Sequence, residues 1–131
     1  MVNSILIGQA IKQILSENSD LANYVENRIF PLVVDEDVNF PFVVFYRNSI
    51  STNSDKANFY EDVVNFNVMA VAETYKESCQ IANEIRKSLE FKKRTFQDLG
   101  IFIYDSKLTS CTENYIANNY VQTLTFSCVV H

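Results

Sequence analysis

The 131-residue chain sets 11 Lys and Arg against 16 Asp and Glu, a formal charge of −5, with 47% hydrophobic and 21% charged residues and only 2 Gly and 2 Pro. That balance excludes a disordered linker and a collagen-like chain, and predicts one compact domain over residues 1–131. Lys92-Lys93-Arg94 is the only dense basic run, too small a footprint for phosphate-driven, sequence-specific nucleic-acid binding. No stretch approaches the ~18–20 apolar residues that span a bilayer, and Met1-Val2-Asn3-Ser4 has no basic region of an export signal. The expectation is a protein made in a cytoplasm, with no membrane partner.

In chain order, Asn3 or Ser4 is the predicted N-cap of a first helix, with Ile7, Ala10, Ile11, Ile14 and Leu15 forming one apolar stripe. Glu17-Asn18-Ser19-Asp20 breaks that stripe as a loop, after which Asp20 caps a short turn through Leu21 and Tyr24-Val25. Arg28 to Val34 is strand-like, but Pro31 cannot donate to a ladder, which confines the segment to an edge or bulge. Asp35-Glu36-Asp37 follows as a solvated acidic loop without the spacing of a cation site. A strand opens at Pro41-Phe42-Val43-Val44-Phe45-Tyr46 and turns at Ser51 to Asp55.

In the returning strand, Val64, Phe66, Val68 and Ala70 share one parity and are the predicted core face; Asn65 and Asn67 point to solvent or a neighbouring subunit. Thr74 with Glu77 three residues later forms a capping box. The helix behind it buries Ala82, Ile85 and Leu89, with Ile81 or Cys79 beside them. Lys92 to Leu99 reads as loop, and Gly100 allows a positive φ before a strand beginning Ile101-Phe102-Ile103-Tyr104. Polar, Asn-rich Thr112 to Asn119 connects it to a last strand, whose apolar face is Leu124, Phe126 and Cys128. The resulting class is α+β: an antiparallel or mixed sheet of four to five strands, two main helices on one face, and long hairpins.

Catalytic chemistry has few places to live. Glycines at positions 8 and 100 give no phosphate-cradling loop. Cys79, Cys111 and Cys128 lie far apart without a CxxC pair, which suggests neither disulfides nor a metal, and Cys79 and Cys128 fit as small buried hydrophobes. The single His131 is terminal, where a fixed catalytic geometry is not expected, and Glu61 and Asp62 point to opposite faces of a strand. Neither cofactor nor catalytic residue is expected. The rival class, a ligand-binding or enzymatic domain with a pocket between sheet and helices, has Tyr46, Arg47, Glu61 and Tyr104 as its candidate lining.

Arg28-Ile29-Phe30-Pro31, an acidic loop and Pro41-Phe42-Val43-Val44-Phe45 together resemble the opening of the phage minor tail family of tail-completion and tail-terminator (head–tail joining) proteins. Val64 to Ala70, then Glu73-Thr74-Tyr75, is similar to the strand before that family's second helix, and Ile81 to Leu89 resembles the helix itself. The resemblance runs along nearly the whole chain and implies a structural virion protein rather than an enzyme. It implies a ring, commonly hexameric, that caps the tail tube and joins it to the head. The partners implied are copies of itself, the tail-tube protein and a neck or head-completion protein, in the virion tail after assembly in a bacterial cytoplasm. Under that expectation the assembly contacts fall on hairpin tips and the wet sheet face: Asn53, Asp55, Lys56, Asn65, Asn67, Glu113 and Asn118.

Overall fold

The computed structural model describes residues 2–53 and 61–131. A 3-10 turn, Ser4–Leu6, leads into α1 (Ile7–Ser16) and α2 (Ser19–Val25). There follow β1 (Ile29–Pro31), β2 (Phe42–Asn53), β3 (Glu61–Ala72), α3 (Tyr75–Leu89), β4 (Arg94–Phe96), β5 (Ile101–Ile116) and β6 (Asn119–Val130). The strands form one mixed sheet in the order β1-β2-β3-β6-β5-β4. Among the described residues only β1 and β2 run parallel; every other neighbouring pair is antiparallel. The class is α+β as expected, with six strands among the described residues rather than four to five.

The predicted faces are the observed ones. Ile7, Ala10, Ile11, Ile14 and Leu15 of α1 are buried, and Ile81, Ala82, Ile85 and Leu89 of α3 pack with them on the sheet. Beneath the helices lie Val64, Phe66, Val68 and Ala70 of β3 and Leu124, Phe126 and Cys128 of β6. Phe66 and Phe126 sit opposite each other in the β3–β6 ladder and stack at 5.3 Å between ring centroids, an arrangement that adds to simple burial. Cys79, by contrast, is only half-buried.

The helix starts differ from one another. Thr74 accepts from the Glu77 amide, as a capping residue should. At α1 neither Asn3 nor Ser4 caps: the chain enters through the 3-10 turn, the Asn3 side chain donates to the Leu99 carbonyl, and Ser4 is buried with its hydroxyl donating to Asp62. A long-range partner outcompetes the local cap, since a buried carboxylate left without a donor is costly. The Glu17-to-Asp20 break contains the α2 cap, because Asn18 rather than Asp20 accepts from the Leu21 amide.

Three further segments correct the sequence expectation. Arg94–Phe96, expected as loop, is a short edge strand on β5, and Arg94 reaches Glu17 at the end of α1 at 2.8 Å. That guanidinium holds the Glu17 carboxyl below its usual range, chiefly through the hydrogen bond. Thr112–Ile116, expected as connection, continues β5, so the turn shrinks to Ala117 and Asn118 with φ of 51° and 65°. Two positive φ values in a two-residue turn match the twist of the flanking strands. Finally, the stretch after β1 packs Val34, Val38 and Phe40 on Phe42, Val44, Val71 and Val121, forming a second, smaller core on the face opposite the helices.

Arg28 explains why two separated sequence pieces act together. Its Nε donates to the Pro41 carbonyl at 2.9 Å, and its own carbonyl accepts from Val43 at 2.9 Å, which locks β1 beside β2. Pro31 then ends the edge strand, and Gly100 adopts φ +66° before β5, as anticipated.

Candidate functional site: the open face, the arm and the sheet flanks

The helices cover one face of the sheet, and the loop behind β1 covers one corner of the other. The remaining face is polar. Asn67 Oδ1 accepts from Asn48 Nδ2 and Thr125 Oγ1, both at 2.8 Å, while its Nδ2 donates to the Tyr46 hydroxyl at 2.9 Å. Asn65 Nδ2 donates to Ser49 Oγ at 3.2 Å. A shift in register between Arg47 and Ser49 makes Asn48 the extra residue of a bulge, which brings its amide to Asn67. Cross-strand polar pairs of this kind order a surface without burying it.

The β5–β6 hairpin forms an arm. Thr109 to Asn118 is exposed throughout, whereas Val121 and Gln122 on the returning strand are buried. A small cluster anchors its base. The Tyr75 hydroxyl donates to Glu113 at 2.8 Å, and Gln122 Nε2 donates to the same carboxylate at 3.2 Å and to Ser78 at 3.3 Å. Tyr120 packs between Tyr75 and Tyr115, at 5.8 and 4.9 Å between centroids. Bonding to Glu113 pushes the Tyr75 phenol up to about 12, with Cys79 adding to the effect.

Of the residues predicted for assembly, Asn65 and Asn67 lie on the open face, Glu113 at the arm base and Asn118 at its tip. Asn53 ends β2 at the opposite end of the sheet, paired with Glu61. Asp55 and Lys56 lie outside the described residues. The described ones form no single patch, because a strand of 12 residues separates the two ends by roughly 40 Å. Sequence reasoning missed Tyr75, Tyr115 and Tyr120, whose clustering depends on the β5–β6 register.

The lining of the rival pocket does not converge. Tyr46 joins the Asn67 network, and Arg47 donates to the Ile5 carbonyl at the β2 flank. Glu61 and Tyr104 flank His131, whose Nε2 lies 3.3 Å from Glu61 and whose ring sits 5.7 Å from that of Tyr104. His131 is held through its backbone. It exchanges both backbone hydrogen bonds with Phe102, at 2.8 and 2.9 Å, and so extends the β6 ladder by one residue. Among the described residues no group of three or more His, Cys, Asp and Glu is placed to hold a metal ion, and no helix is long and apolar enough to cross a membrane.

The cysteines differ sharply in environment. Cys111 is exposed on the arm, Cys128 is buried in the core, and burial pushes the Cys128 thiol up to about 12.

No family model and no curated protein matches the chain. Among solved structures, a chain described as "Virion of native gene transfer agent (GTA) particle" is similar to it with a TM-score of 0.80 at 14% identity. The match spans 92% of this chain and 90% of that one. Helices, sheet and arm thus belong to a fold that this chain shares, almost from end to end, with a chain of that particle.

Proposed function

We propose that this chain is a non-enzymatic structural subunit of a phage-type virion, and that it acts as a ring-forming tail-completion protein. In this reading its copies close into a ring, six-membered by analogy with the resembling family, on the end of the tail tube and receive the neck or head-completion protein on the other side. The observation that carries the reading is the fold likeness to a chain of the gene transfer agent particle over nine-tenths of both chains. The serial agreement of the Arg28–Pro31 and Pro41–Phe45 pieces with the tail-completion family supports the finer assignment. The polar open face suits protein–protein contact better than catalysis, since its amides and hydroxyls are already hydrogen-bonded to one another. The formal charge of −5 fits a subunit beside passing DNA, because an acidic wall repels phosphates.

Immunogold electron microscopy on particles from the strain that encodes this chain tests the assignment. Gold at the junction of tail and head is the expected result. Label confined to the distal tail tip, or particles free of label, would overturn it.

A further inference from the structure

The two flanks of the sheet are stepped in opposite senses. On one flank β1 covers β2 only at Val43–Phe45, and beyond Phe45 the described part of β2 pairs only with β3. On the other flank β4 covers β5 only at Ile101–Ile103, the Phe91 amide donates to the Ser106 carbonyl, and among the described residues Lys107–Ile116 pairs only with β6.

The ladder sets these features at common heights. Pro31 is level, through Phe45, Val68 and Leu124, with Cys111; Ile29 is level, through Val43, Ala70 and Gln122, with Glu113. Ile50 is level, through Val64 and Cys128, with Ser106 beside Phe91. The projecting β1 of one flank therefore stands at the height of bare β5 on the other. The projecting Phe91 and β4 stand at the height of bare β2. Direction also fits: three antiparallel steps separate β2 from β5, so β5 runs opposite to β1.

Apolar exposure follows the same division. Ile5, Leu32 and Val33 lie on the β1–β2 flank, where Ile5 lines a groove with Pro31 and Phe45. Phe91, Tyr104, Tyr115, Ile116 and Tyr75 lie on the β5 flank and its arm. Every exposed large apolar side chain among the described residues is on one flank or the other. Long open strand edges bordered by apolar groups invite another strand.

We infer that the bare stretch of β5 in one copy lies antiparallel along β1 of the next copy, with Cys111 opposite Pro31, which offers a carbonyl but no donor, and Phe91 against bare β2 at the height of Ile50. Each copy then uses two different edges, the head-to-tail contact that closes into rings. This inference rests on the ring reading above and names the surfaces that make it.

Disulfide trapping tests the register. Leu32, 71% exposed, already holds a positive φ next to Pro31, so Leu32→Cys in a Cys79→Ser background presents one thiol beside the neighbour's native Cys111. Oxidation with copper–phenanthroline is expected to yield a ladder of species above the dimer, and removing either cysteine of the pair should abolish it. Val33→Cys serves as the second variant, and cooperative thermal melting checks that each folds. Dimers formed by Cys111 alone would indicate β5 pairing with β5 and overturn the inference. An oligomer in solution without the Leu32→Cys to Cys111 cross-link would overturn the inference and leave the ring standing. A monomer that never cross-links would sink both.

Discussion

Residues 101–106 and 109–116 belong to one strand and live in different surroundings. In the first half Ile101, Ile103 and Ser106 are buried, β4 or Phe91 lies on one side and β6 on the other. In the second half every side chain is exposed and β6 is the only partner strand among the described residues. The first half holds the fold together; the second is held by it, through Tyr75, Glu113 and Tyr120 at the base of the arm. A strand edge left bare after its core role ends is a liability for a solitary protein and an asset for one that assembles. The contrast separates residues that stabilise this chain from residues that equip it to assemble.

The largest effect belongs to the body. Phe126→Ala removes a side chain that is 0% exposed and stacked on Phe66; urea denaturation should show a loss of about 3–5 kcal/mol. Tyr115→Ala, in the arm, should cost about 1 kcal/mol or less. Equal losses at the two sites would erase the distinction. Next comes Ser4→Ala, which leaves the buried Asp62 carboxylate without its hydroxyl donor and should cost about 1–3 kcal/mol by the same measurement.

Thiol chemistry sharpens the comparison without perturbing it. A colorimetric disulfide reagent should modify exposed Cys111 in the native protein, whereas Cys128, buried and with its thiol pushed up to about 12, should react only on unfolding. The smallest effect is at the arm base. The bond to Glu113 makes Tyr75 hold its proton more tightly folded than unfolded. The stabilisation is therefore complete below the ordinary tyrosine range, near 10, and is lost as pH rises through about 12. An absorbance titration of the 7 tyrosines should show a late-ionising phenol that Tyr75→Phe abolishes.

Alternation and helical spacing revealed the body because burial had imposed them. Val64, Phe66, Val68 and Ala70 could be assigned to the core for that reason, as could the α1 stripe from Ile7 to Leu15. The arm was hidden for the converse reason. Thr112 to Ile116 is wet on both faces, so no period marks it as strand, and only its partner β6 fixes it. At three residues, β4 is too short to show a pattern. Ser4 with Asp62, and His131 with Phe102, are joined by tertiary contacts that no local window contains. Asn65, Asn67, Glu113 and Asn118 were legible as wet residues, but their dispersal over the sheet depends on register.

Sedimentation equilibrium of the full chain over a wide concentration range tests most directly whether the molecule is built to meet its own copies. The account predicts a species at a whole-number multiple of 15.1 kDa, reduced to the single chain by Thr112→Lys on the bare β5 edge with no change in melting temperature. A mass of 15.1 kDa at every concentration, or an oligomer indifferent to Thr112→Lys, would contradict it.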